Sequence, residues 1–304
     1  PEVVVSDMHP GYLTTSFADE IAGPELKRIK VQHHHAHIAS VLEERGIDGP
    51  VIGIAFDGTG YGPDGTLWGS EFLVADRKGF TRAAHFGEFS LPGGESAIKD
   101  VWKIGLSLLY RAYGRDYPVM DHDAASSLLL DAVERGINAP LTCSIGRIFD
   151  GVAAILGISR TVSSEAEAAM LLEESAARGN ANGPGVVLPW SSDPCRVVDT
   201  EALVRRVVEM MQAGVPADDI AAWFHRTISL TAAAVARELR EETGLSTAVL
   251  SGGVFHNRIL LRQIHELLIR DGFEVLVPEK VPVNDGCISL GQVAVARALL
   301  EQKR

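Results

Sequence analysis

An α/β fold is what this sequence predicts, and three observations carry the prediction. Short β-rich runs alternate with long helical segments along the chain. Several of those runs end in polar or glycine-rich clusters, which is where ligands collect in α/β sheets. With 304 residues, 46% of them hydrophobic, the chain can bury a large core, most naturally in two lobes.

The β-rich runs are "EVVVSD" at 2–7, "RIKVQ" at 28–32, "VIGIAF" at 51–56, "EFLVAD" at 71–76, "TAVLSGG" at 247–253 and "FEVLVP" at 273–278. Helical spacing of Ala, Leu and Glu covers 163–178, 201–213 and 217–243. Ser164 and Glu167 have the spacing of a capping box, which starts a helix at 164, and Gly179 follows its end. Residues 179–200 are rich in Gly, Pro and Asn and are expected to form a surface loop. The chain opens directly on a strand with no leader and no initiating Met, so a fragment or a processed chain is expected.

Composition removes several classes. The net charge is -12 and no dense Lys/Arg cluster occurs, so nucleic acid is not expected as a partner. No apolar run approaches ~18 residues and no signal-peptide pattern is present, so a soluble, cytoplasmic protein without membrane contact is expected. The three cysteines, Cys143, Cys195 and Cys287, are scattered and form neither a disulfide framework nor a zinc ribbon.

Chemistry concentrates at three places. In "KVQHHHAHIASVLEERG" (30–46), four histidines fall within five positions where a strand passes into a helix that stops at Gly46. His33 and His37 are four apart, so they share one helix face at a spacing suited to two imidazoles on one metal. A zinc-protease motif is excluded, because His34 stands where that motif needs Glu. His34 and His35 are expected to matter less, one of them orienting substrate or meeting solvent.

The second place is "GIAFDGTGYGPDGTLWGSEFLVAD" (53–76), where a strand is expected to end at Asp57, turn through Gly58, Gly60 and Gly62, and return. Closely spaced glycines let backbone N–H groups approach an anion. The third comprises "AVLSGGVFHNRILL" (248–261) and "VPVNDGCISLGQVAVARALL" (281–300). Gly252 and Gly253 could seat a phosphate at a helix N-terminus, and Asp285 is as readily a cap as a ligand. A set of two His and two Asp suits a divalent metal such as iron or zinc with positions left open. The unaided reading is a metal-assisted enzyme acting on a nucleotide or phosphorylated compound.

These stretches, in this order, resemble the transferase domain of the HypF family, carbamoyltransferases that mature nickel–iron hydrogenases. The resemblance rests on "SDMHPGYLTT" (6–15), "VQHHHAHIASVL" (31–42), "AFDGTGYGPDGTLWGSEF" (55–72), "LPGGESAIKDVWK" (91–103), "GINAPLTCSIGRIFDGVAAILG" (136–157), "SGGVFHNRILL" (251–261) and "NDGCISLGQ" (284–292). More distantly the chain is similar to antibiotic O-carbamoyltransferases and to tRNA threonylcarbamoyladenosine transferases. The resemblance implies a two-lobed, actin-like ATPase fold of the sugar-kinase/Hsp70 superfamily, with the first lobe lacking its N-terminal strands. Residues 1–50 would form that partial lobe, 51–287 the second lobe with helical insertions, and the last helix, near 288–304, would pack back on the first.

By matching position, the resemblance implies that His33, His37, Asp57 and Asp285 hold the metal and carry catalysis. Carbamoyl-adenylate or ATP would lie against Gly58, Thr59 and Gly60, Asp150 at the ribose, and Gly252, Gly253 and Asn257. The implied activity is carbamoyl transfer from carbamoyl-adenylate to the C-terminal cysteine of a HypE-type partner, on the way to the cyanide ligand of the hydrogenase iron. An upstream adenylate-forming domain of the full-length protein is the second implied partner. Ser164 and Ala166 stand where the family usually has Tyr and Gly, and Lys103 where it has Arg. Two alternatives remain: a catalytically incomplete nucleotide- or metal-binding docking module, and a relative of the tRNA threonylcarbamoyl transferases.

Overall fold

Alternation of β-branched runs with helices produces a mixed α/β fold in a computed structural model, which describes residues 2–180, 183–192 and 195–302. The chain runs β1 (Val3–Asp7), α1 (Leu13–Ala22), β2 (Lys27–Val31), α2 (His33–Arg45), β3 (Val51–Tyr61), β4 (Leu67–Ala75) and β5 (Phe80–Phe86). It continues through β6 (Phe89–Ser90), α3 (Glu95–Lys99), α4 (Trp102–Tyr113), α5 (Ala124–Glu134), β7 (Leu141–Thr142), α6 (Ile145–Ile155) and α7 (Glu167–Arg178). Then follow β8 (Trp190–Ser191), β9 (Arg196–Val198), α8 (Thr200–Gln212), α9 (Ala217–Thr243), β10 (Thr247–Ser251), α10 (Arg258–Arg270), β11 (Glu274–Leu276) and α11 (Ile288–Glu301).

Contacts divide the chain into two compact units, residues 1–83, 236–256 and 268–304 in the first, and 84–235 with 257–267 in the second. In the first unit β11, β10 and β3 pair in parallel and β4 runs antiparallel to β3, while β1 and β2 form a separate parallel pair. Helix α2 is enclosed. One side packs Ile38, Val41 and Leu42 onto Val51, Ala55, Leu73 and Val249 of the sheet. The other sets Ala36 and Ala39 against Ile288 and Val295 of α11, which also packs on β1 and β2. Every residue from His33 to Leu42 is therefore buried, polar ones included.

In the second unit α6 packs on α4 and α7, and α4 also meets α5 and α8. There β9 pairs in parallel with the end of β5, and β8 pairs antiparallel with β9.

All six β-rich runs of the sequence are strands, and the segments 201–213 and 217–243 are helices to within a residue. Three expectations need correction. The helix expected from 164 begins at Glu167, whose carboxylate accepts from the N–H and hydroxyl groups of Ser163 and Ser164; the serines serve the glutamate instead of capping the helix. Residues 179–200 are not wholly loop, since β8 and β9 form within them; residues 181, 182, 193 and 194 lie outside the described residues. β3 does not end at Asp57. It continues to Tyr61, with its register against β4 broken between Phe56 and Gly60.

Candidate metal centre

That break aims the first ligand. A bulge releases residues from the ladder and redirects their side chains, and here it turns the Asp57 carboxylate out of a strand that is otherwise core. Gly253 N–H then holds Asp57 Oδ1 at 3.1 Å. Gly253 follows β10 through Gly252, whose φ of +107° suits glycine, and any Cβ at Gly252 would overlap the Phe56 backbone. Gly252 N–H donates to the Val283 carbonyl at 2.9 Å, tying this loop to the one that carries Asp285.

The two histidines come from the first and fifth positions of α2, one turn apart. Gln32 caps it, its Oε1 accepting from His35 N–H at 2.9 Å, and Gly46 ends it in the left-handed region. Asp285 opens a 3-10 turn (Asp285–Cys287) leading into α11, with Asn284 accepting from Gly286 N–H as the cap. The capping role weighed for Asp285 thus belongs to Asn284, which leaves the Asp285 carboxylate for the site.

The four side chains converge. His33 Nε2 lies 3.0 Å from Asp57 Oδ2 and 3.4 Å from Asp285 Oδ1. His37 Nε2 lies 3.4 and 3.5 Å from the same two oxygens. One donor atom from each residue falls within 4.8 Å of all the others. Ligands bound tetrahedrally at about 2.1 Å stand roughly 3.4 Å apart, so these separations are those of a coordination shell. His37 Nε2 is buried and makes no hydrogen bond although two carboxylates face it, as expected of a donor aimed at a common centre. The N2O2 set therefore fits a divalent ion. Asp285 is 66% exposed on its side chain, which leaves the centre one open flank.

The same proximity shifts the proton affinities of all four groups. Burial alone would lower His33 and His37, but the carboxylates of Asp285 and Asp57 outweigh it, raising His33 well above its ordinary value and His37 to about 10. Burial would raise Asp57 and Asp285; the two imidazoles outweigh that as well, holding Asp57 well below the carboxylate range and Asp285 at about 2.

The remaining histidines of the cluster are both buried, which removes solvent contact from the two roles expected for one of them. His34 is fully buried beside Trp68 and Gln32, and burial, with His33 close by, lowers it to about 3. His35 bonds the Asp76 carbonyl through Nε2 at 2.6 Å. Gly60 has a steric role that spacing did not show: a Cβ there would overlap the His34 ring and approach His33 Cβ to 3.0 Å.

The expected nucleotide residues fall in both units. Gly58, Thr59, Gly60, Gly252 and Gly253 belong to the first. Asp150 and Asn257 belong to the second. Asp150 is buried 3.1 Å from Arg147 Nη1, and burial raises its carboxyl despite that cation. Arg147 Nε and Nη1 are buried without a hydrogen-bond partner, an ion contact lacking hydrogen-bond geometry. Asn257 is committed on both sides of its amide, Nδ2 donating to His225 and Oδ1 capping Leu260 N–H. Glu173 takes the next two amides of α10, those of Arg258 and Ile259.

The sequence reading also passed over Asp7, whose carboxylate lies 2.8 Å from His33 Nδ1. The signal was present, because Asp7 is the polar end of a β-rich run, as Asp57 is.

Residues 53–292 match the family model for the second subdomain of the carbamoyltransferase Kae1-like domain, and residues 1–44 match that for the HypF Kae1-like domain. Carbamoyltransferase HypF2 of Cupriavidus necator is 36% identical over 97% of this chain, and a HypF homolog from the same organism is 34% identical over 97%. The chain spans 40% of the first relative and 77% of the second. A crystal structure of full-length HypF in a phosphate- and nucleotide-bound form superposes with a TM-score of 0.93 at 42% identity, covering 99% of this chain and 47% of that one. HypF of T. kodakarensis gives a TM-score of 0.89 at 31% identity, covering 99% and 41%.

Proposed function

The chain belongs to the HypF carbamoyltransferase family, and on that premise we propose that it moves a carbamoyl group onto a thiol. The donor in this reading is carbamoyl-adenylate and the acceptor is the C-terminal cysteine of a HypE-type partner, in the synthesis of the cyanide ligand of a nickel–iron hydrogenase. The observation that carries the proposal is the convergence of His33, His37, Asp57 and Asp285 on one open-flanked centre. These four would hold iron or zinc, which when bound would supply a Lewis acid and a template for the donor.

The reacting atoms belong to the donor and the partner. Sulfur of the partner's thiolate attacks the carbamoyl carbon, a C–S bond forms, the bond from that carbon to the adenylate oxygen breaks, and AMP leaves. The nucleophile comes from outside, so the buried thiols of Cys143 and Cys287 are not required to react. Gly58, Thr59 and Gly60 with Gly252, Gly253, Asp150 and Asn257 are proposed to hold the nucleotide, an assignment supported by family membership. The phosphate- and nucleotide-bound crystal structure is that of a relative of this chain. The division into a partial first lobe (1–50, with the last helix) and a second lobe (51–287), the cytoplasmic location and the adenylate-forming partner domain belong to the same proposal.

The test is metal content and transfer on the full chain. Wild type should bind one divalent ion per chain and carbamoylate an acceptor peptide ending in cysteine when given carbamoyl-adenylate. His33→Ala with His37→Ala should lose both. A double variant that retains one tightly bound ion refutes the ligand assignment. A metal-loaded wild type that binds the adenylate without transfer makes the chain a docking module instead.

A further inference from the structure

We infer that Asp7 is the residue that positions His33 for the metal centre, an inference resting on the metal reading above. β1 and β2 pair in parallel, with Asp7 level with Val31, so Asp7 ends its strand two residues short of His33. Its Oδ2 lies 2.8 Å from His33 Nδ1, with the two side chains 4% and 2% exposed. His33 Nε2 is thereby left facing Asp57 and Asp285. A ligating imidazole whose other nitrogen donates to a carboxylate has its tautomer and ring orientation fixed, and its basicity raised.

The segment after β1 is built to hold Asp7. His9 N–H donates to Asp7 Oδ1 at 2.8 Å, and Thr15 Oγ1 donates to the Asp7 carbonyl. His9 in turn accepts from Gly11 N–H through Nδ1 and stacks on Tyr12 with ring centroids 4.2 Å apart. The stretch "SDMHPGY" thus has a use the ligand set alone does not explain. A plain turn would need only the Oδ1 contact to His9; Oδ2 turned onto a buried imidazole serves His33.

Both carboxylate oxygens accept, so the isosteric amide cannot replace them. Asp7→Asn keeps one acceptor, and an amide that satisfies His9 N–H turns its NH2 toward His33 Nδ1. The test titrates Co2+ into the full-length chain, wild type against Asp7→Asn and Asp7→Ala. Alongside it, the His33 Nδ1 proton is followed in the metal-free protein by imidazole proton–nitrogen correlation. The expected result is Co2+ affinity about 10–100-fold weaker in both variants, with loss of a solvent-protected Nδ1 proton that wild type shows. Wild-type affinity in a folded Asp7→Asn overturns the inference while leaving the metal reading intact. Should wild type bind no Co2+, the metal reading fails by itself. The Nδ1 proton then decides: protected in wild type and lost in Asp7→Asn supports the hold on His33, and its absence from wild type overturns it. Asp7→Asn preserves shape and carries the comparison if Asp7→Ala does not fold.

Discussion

Gly291→Ala tests how α2 is clamped. Gly291 lies on α11, where a methyl group would overlap the carbonyl oxygen of Ala36, with Cβ 2.6 Å from that carbonyl carbon and 2.9 Å from the Ala36 Cα. Carbon atoms in good contact stand about 3.5–4.0 Å apart, so the helices must separate by roughly 1 Å. A radial gap of that size forfeits up to about half of each contact well among Ala36, Ala39, Ile288 and Val295, which pack there. Overpacking of this kind costs about 1–3 kcal/mol and occasionally more. The gain from replacing a helical glycine by alanine is about 1 kcal/mol and offsets only part of it. A net loss of up to about 2 kcal/mol is expected in urea denaturation, read as a lower midpoint with the slope unchanged. Ala36 lies between His33 and His37, so divalent-ion affinity should fall with stability. A variant as stable as wild type with unchanged affinity refutes the close approach and the clamp together.

Two further outcomes follow from buried charge. Glu71 is fully buried and paired with Arg82 through contacts of 2.7 and 3.2 Å, and Arg82 also lies over Trp68. Arg82→Met should cost about 3–5 kcal/mol by leaving that carboxylate buried without its cation, and Glu71→Met in the same chain should recover part of the loss in a double-mutant denaturation cycle. His225, fully buried and lowered to about 4 chiefly by burial, is neutral when folded, with Nδ1 on the Ala221 carbonyl and Nε2 on Asn257. Unfolded, it takes up a proton below about 6.5, so it should erode about 3 kcal/mol of stability between pH 6.5 and pH 4, a slope that His225→Gln should flatten in pH-resolved melting.

The sequence made the local features legible. Spacing alone put His33 and His37 on one helix face, and "LSGG" and "NDG" marked the loops that bring Gly253 and Asp285. What stayed hidden depends on partners far along the chain. The bulge that aims Asp57 exists only relative to β4, and Asp7 gains meaning only when β1 pairs with β2. Solvent was one of two roles open to His34 or His35 because a polar helix start is usually wet; α2 buries both because the sheet covers one side and α11 the other. Glu167 reversed the expected cap because a carboxylate can accept from two serines at once.

The metal-free arrangement also sets how an ion enters. Two imidazoles raised above their ordinary range, facing two carboxylates held below theirs, carry protons that an ion must displace. Two imidazolium cations against the carboxylates of Asp57 and Asp285 leave no net charge. A divalent ion with two neutral imidazoles against the same two leaves none as well, so the site keeps its charge. The exchange is then one ion for two protons. Imidazoles with raised values stay protonated through neutral pH and compete with the ion until pH rises past them. Apparent affinity should therefore climb with pH, by up to about a hundredfold per unit near neutrality when two protons leave together. Titrating Zn2+ at pH 6, 7 and 8, with calorimetry in buffers of different ionisation enthalpy, reads both the slope and the proton count. An affinity that does not change with pH, or binding that releases no protons, would mean that His33 and His37 are already neutral.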